Sequence, residues 1–171
     1  MKRNIVWTMF FGATLLLSLA SVASAQDNVI CSNAGVAGTW GTTLTGTQFL
    51  PAPTGPVPFA SVNRITYDLA GNFSGTQTRS SNGTVSRVTF RGTYTVNSDC
   101  TGKKTIKAYN QSGNLLNTAE ADFVLVNNAK DLFEIFTSVV LPDGTSVPVV
   151  ITGHSTKLFP FPWVYGWETI P

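Results

Sequence analysis

The chain has 171 residues, of which 43% are hydrophobic and only 12% charged, with a formal net charge of +2. Residues 1–25 read as a secretory leader: a basic start at Lys2 and Arg3, an almost wholly apolar run over 5–20, and Ala23-Ser24-Ala25 as a small-x-small cleavage signal, with cleavage expected after Ala25. Loss of Lys2 and Arg3 leaves nine basic and nine acidic residues, a balance that excludes nucleic acid and anionic membrane surfaces as natural partners, because both need a basic face.

What remains, 26–158, is enough for one domain with its own core, followed by a short tail over 159–171. No second stretch is long and apolar enough for a membrane helix. The mature chain is expected in solution, secreted or periplasmic, with an uncleaved anchor as the alternative. Cys31 and Cys100 form an even pair in an exported chain and are expected to be disulfide-bonded. Such a bridge closes a loop of about 70 residues, worth on the order of 4 kcal/mol in the chain-entropy view.

Turn-forming clusters then recur at regular intervals: Ala70-Gly71-Asn72, Ser81-Asn82-Gly83, 99–102, 111–114, Asn127-Asn128 and Pro142-Asp143-Gly144. Between them lie β-branched and aromatic stretches, expected as strands over 36–47, 61–69, 73–80, 84–96, 103–110, 115–126, 132–141 and 147–157. Alternation supports them. Val88, Phe90, Tyr94 and Val96 share one face of the fourth strand, and Ala119, Ala121, Phe123 and Leu125 one face of the sixth. The fold class is all-β. A meander of eight strands has two exposed edges, and closing it removes them. An eight-stranded antiparallel up-and-down β-barrel is therefore expected, with a β-sandwich as the alternative. In the barrel order, Cys31 and Cys100 fall at the same end.

Two segments depart from the pattern. Residues 48–60 hold Pro51, Pro53, Pro56 and Pro58 and read as a long, stiff connection, either a lid or a plain crossover. The tail places Phe159, Phe161, Trp163, Tyr165 and Trp167 at odd positions, interleaved with Pro160 and Pro162. It is expected to pack on the barrel or to present an aromatic strip.

Chemistry-bearing motifs are scarce. The one histidine, His154, has no nucleophile motif around it and is expected to be structural. Two cysteines and a histidine do not make a metal site, and no cofactor fingerprint is present. Glu120, Asp122 and Glu134 could bring carboxylates together. Each lies opposite the clearer apolar set of its strand, so all three are expected outside, with Arg79, Arg87 and Arg91 complementing them there; the alternative, left open because the eighth strand is apolar on both faces, is an inverted register in which the same groups line a polar cavity. The sequons at Asn72, Asn82 and Asn110 read as turn chemistry.

Gly38-Thr39-Trp40, near the start of the first strand of a secreted meander, resembles the lipocalins and the wider calycin group. That resemblance implies a tryptophan packed across the closed barrel end with a basic residue over it, the place of Lys157. The chain departs from the family in lacking a long helix after the last strand and a recognisable motif between strands six and seven. A barrel similar to allene oxide cyclase fits as well. Both resemblances imply an apolar cavity. The expected function is binding of a small hydrophobic ligand, with Phe90, Tyr94, Phe123 and Ile135 as wall residues. A cyclase or isomerase is the second reading, and a filled barrel serving structure or a partner is the third.

Overall fold

A computed structural model describes residues 30–160, with backbone only for 159 and 160; the expected leader and the expected tail beyond Pro160 lie outside the described residues. A one-turn helix α1 (Asn33–Val36) precedes eight strands: β1 (Gly38–Leu50), β2 (Gly55–Tyr67), β3 (Asn72–Ser81), β4 (Thr84–Val96), β5 (Thr101–Tyr109), β6 (Leu115–Val126), β7 (Asp131–Val140) and β8 (Val149–Pro160). They pair in chain order, all antiparallel, and β8 pairs with β1 to close the barrel. The fold is the all-β, up-and-down barrel that the alternation implies.

Local chemistry explains the hairpins. Asn82 and Gly83 both have positive φ (49° and 80°), and Ser81 faces Thr84 across them. That is a two-residue turn whose twist matches the flanking strands. Residues 48–60 are not a long connection. β1 continues to Leu50, β2 starts at Gly55, and a turn closed by Thr54 N–H to the Pro51 carbonyl at 3.1 Å joins them. Pro56 and Pro58 lie within β2, paired with Phe49 and Thr47 of β1, while pairing with β3 begins only at Phe59. The prolines therefore occupy an overhang where the missing N–H breaks no ladder on the free side. β8 likewise runs into the expected tail, with Pro160 opposite Gly38.

The end that holds α1 is closed. Cys31 and Cys100 form the disulfide, tying the segment before α1 to the β4–β5 turn. Trp40 is fully buried, and its indole N–H donates to the Val36 carbonyl at 2.7 Å. Lys157 Nζ lies 5.3 Å from the Trp40 ring centre and donates to the Gly35 carbonyl at 2.6 Å. The Tyr94 hydroxyl sits between the carbonyls of Asp68 (2.5 Å) and Asn33 (3.1 Å). Helix, tryptophan and tyrosine thus satisfy one another's polar groups where water is excluded.

Above this plug, rings lie over glycines. Phe73 faces Gly92, Phe90 faces Gly75, and Phe123 faces Gly102 in the strand register. A Cβ on Gly92 would strike both the Phe73 ring and the Thr105 carbonyl, and one on Gly102 both Phe123 and the Thr95 carbonyl. The absent side chains are the space the rings occupy, and the lower half of the barrel is packed solid as a result. On the remaining seam, β7 pairs with β8 only from Asp131 to Ile135. Farther up, Val139, Val147 and the partly buried Leu50 close the gap by packing.

Gly92→Ala and Gly102→Ala are expected to cost about 1–3 kcal/mol each by overpacking. Gly41→Ala, whose Cβ would meet only Leu158 at ordinary contact distance, should stay within about 0.5 kcal/mol of the parent. Urea unfolding of the three variants checks this.

Candidate functional site

The upper half of the barrel encloses a cavity of about 70 Å³. Its apolar wall includes Leu44, Phe59, Phe90 and Phe136, and its polar lining includes Gln48, Asn63, Gln77, Arg79 and Asn117, with Lys104 and Glu134 also on its surface. The polar residues toward the open end are partly tied together. Gln77 Nε2 donates to Ser61 Oγ at 3.1 Å, Arg79 Nε to Ser86 Oγ at 3.1 Å, and Ser81 Oγ to Gln48 Oε1 at 3.2 Å. The Asn63 carboxamide oxygen is buried with no partner.

Within the barrel, Lys104 Nζ meets Glu134 Oε2 at 2.5 Å, both side chains 2% exposed. Lys104 also donates to the Tyr67 hydroxyl at 3.0 Å. The two charges stand on β5 and β7, two strands apart. Lys104 is registered with Ala121 of β6, and Glu134 with Phe123. Ala121 is the small residue over which the lysine reaches its partner. Burial alone would pull the Lys104 ammonium down, but the Glu134 carboxylate and the Tyr67 hydroxyl outweigh it and its pKa is pushed up. Burial pushes the Tyr67 hydroxyl up, with Lys104 opposing and Glu134 reinforcing. Tyr94 is pushed up by burial, by Asp68 and by Tyr67.

This corrects the expectation for Glu134, which is inside the barrel rather than on its surface. The strand Asp131-Leu132-Phe133-Glu134-Ile135-Phe136 carries apolar residues on both faces, so period 2 does not choose between them. Pairing with Lys104 puts Glu134, Leu132 and Phe136 inside, and sends Phe133 and Ile135 out. Glu120 and Asp122 do lie outside, Asp122 with Lys103 at 3.3 Å. Arg79 is also inside, on the cavity, rather than on the outer surface with the exposed Arg87 and Arg91. Arg91 instead stacks on Tyr109, 4.9 Å from its ring centre.

Of the expected wall residues, Phe90 lines the cavity. Tyr94 and Phe123 are buried in the packed core beneath it, and Ile135 is 49% exposed on the exterior. Trp40 and Lys157 belong to the closed end. His154 is outside, stacked on Phe133 at 4.7 Å and 3.5 Å from Asp131, so the interior contains no imidazole. Lys104 escaped sequence reasoning, although it shares its parity with Ile106 and Ala108 on the inward face of β5. Among the described residues, no cluster of three or more His, Cys, Asp or Glu side chains could hold a metal.

Fold and interior together define a closed eight-stranded barrel with a packed lower half and a cavity of about 70 Å³ in its upper half. No protein-family model and no curated protein matches the chain. Among solved structures it is similar to EF1p2_mFAP2b bound to DFHBI, with a TM-score of 0.52 at 11% identity, over 75% of this chain and 98% of that one. At that identity the likeness is one of fold.

Two experiments address the ion pair. Removing one partner, as in Glu134→Leu or Lys104→Met, should cost about 3–5 kcal/mol in urea unfolding, and the double variant should recover most of that. Lys104, Tyr67 and Tyr94 all have pKa values above their ordinary 10.5 and 10.0, so the folded chain holds protons that the unfolded chain releases. Their contribution is fully present below those ordinary values and is lost above them. Stability should be level from about pH 7 to about pH 9 in these terms and fall beyond about pH 10, read from urea midpoints across that range.

Proposed function

We propose that this chain is an exported barrel that binds a small, partly apolar molecule in the upper half of its interior. The observation that carries the reading is the cavity itself: hollow space walled on one side by Leu44, Phe59, Phe90 and Phe136 and edged on the other by amide and guanidinium groups. Ligand sites commonly combine such an apolar surface with a few placed polar groups, and eight-stranded barrels either fill their interior or hold one small ligand. The likeness to a barrel whose solved structure contains DFHBI supports the same reading at the level of fold. The disulfide supports an oxidising compartment, in keeping with the leader.

Size narrows the class. A cavity of about 70 Å³ is well below the roughly 150 Å³ that accommodates benzene in an engineered protein core. The ligand is therefore small, or inserts one apolar end and leaves its polar end at the mouth.

A cyclase or isomerase reading has one observation in its favour, the presence of Lys104 and Glu134 inside the barrel. General acid–base work near neutrality needs a group whose pKa is brought toward the working pH. Lys104 and Tyr67 are shifted the other way, and Glu134 is spent on the lysine. Binding is the better account.

Native mass spectrometry of protein from its own host should reveal a co-purified small molecule. Ala108→Leu, at a buried cavity-lining position, should fill the space, keep the fold and abolish the adduct. An empty parent protein whose backbone amides also fail to respond to small organic probes would overturn the reading.

A further inference from the structure

We propose that the ligand is a small organic acid, its apolar body lodged against Phe59, Phe90 and Phe136 and its carboxylate held by Arg79. This rests on the cavity being a binding site and adds the chemistry of what enters it.

The argument is a charge census of the interior. Lys104 and Glu134 neutralise each other at 2.5 Å. Among the described residues Arg79 has no counter-ion: the ion pairs there are Lys103–Asp122, Lys104–Glu134 and His154–Asp131. A guanidinium is always charged, so the cavity carries one uncompensated positive charge. The position is a sheltered one, since burial of Arg79 is enough to pull its pKa down. Arg79 is half-buried near the rim, so water can serve its charge until a ligand anion replaces it.

Hydrogen bonding points the same way. Arg79 lies across from Ser61 on β2 and Ser86 on β4. Its Nε is occupied by Ser86 Oγ at 3.1 Å, which anchors the guanidinium and leaves both Nη groups without a protein partner among the described residues. Two forked N–H groups match the two oxygens of a carboxylate. Gln48 accepts through Oε1 from Ser81, so its amide N–H groups add donors to the same lining, as do those of Asn117. The one carboxylate on the cavity, Glu134, is engaged by Lys104. Among the described residues the Arg79 fork is therefore the one charge on the lining without a partner, and the missing member is an anion. The Asn63 oxygen, buried and unpaired two register positions from Arg79, would take a proton donor on the ligand or a water beside it.

The test compares acids with neutral amides of the same shape: propionate with propionamide, and isobutyrate with isobutyramide. Each is titrated into the intact mature protein and followed by backbone amide shifts at Leu44, Phe59, Phe90 and Ile106. The parent should bind each acid about tenfold more tightly than its amide, a difference typical of one charge-assisted contact. Arg79→Met should erase the preference while still binding the amides. Arg79→Lys, which keeps the charge without the fork, should retain part of it, and a native-like amide spectrum shows that each variant folds. Equal affinity for acid and amide in the parent, or an acid preference that survives in Arg79→Met, would overturn this proposal and leave the cavity reading standing. No response to any of the four probes would overturn both.

Discussion

The buried pair of Lys104 and Glu134 is the constraint around which the interior is arranged. Neither charge could stay in the barrel alone, because removing a single ion from water costs several kcal/mol that only a close partner can offset. Once paired, they impose conditions on three strands. Glu134 must face inward, and since side chains alternate strictly along a strand, Phe133 and Ile135 must face outward. Ala121, between the two charges on β6, must be small enough for the lysine to pass over. A larger residue there would separate the charges without removing either, the most costly arrangement of all.

The pair also stands near the boundary between two kinds of interior. Beneath the cavity, rings and glycines are matched across strands so closely that an added methyl meets backbone or an aromatic face. Toward the mouth, the inward positions of β1, β2, β3 and β6 carry Gln48, Asn63, Gln77, Arg79 and Asn117. Amide and guanidinium groups must keep their hydrogen-bond geometry and cannot close against one another as hydrocarbon does. The hollow is therefore a consequence of which residues alternate inward, and the rigid floor fixes where it ends. A site on such a support needs little reordering when something enters it, and preorganisation of that kind raises affinity without adding contacts.

Much of the fold was legible in the residues because their signals agreed. Alternation on β4 and β6 shows one apolar face each, Asn82-Gly83 specifies a tight hairpin, and edge strands in a meander favour closure. Cys31 and Cys100 then fall at one end of the barrel, where they are bridged. The errors arose where a local rule had two solutions. Prolines at 56 and 58 read as a loop because a proline breaks a ladder, yet an overhanging strand end has no ladder on one side to break. On β7 both faces carry large apolar residues, so the choice passed to a partner two strands away, beyond the reach of any periodicity. Arg79 was placed outside by the rule that charges are solvated. In a barrel this size, a long side chain near the rim can lie on the inner face and still approach water.

That last point bears on how such a site would discriminate. An apolar surface distinguishes ligands weakly, since one methylene more or less is worth only about 1–3 kcal/mol. A charged group with open hydrogen-bonding positions in a sheltered pocket discriminates more sharply, because a ligand that displaces its water without replacing the contacts leaves the charge stranded. The formal net charge of the full chain is only +2, so attraction of acids would not come mainly from the overall field. Selectivity would arise inside the barrel, from one guanidinium that has no counter-ion among the described residues.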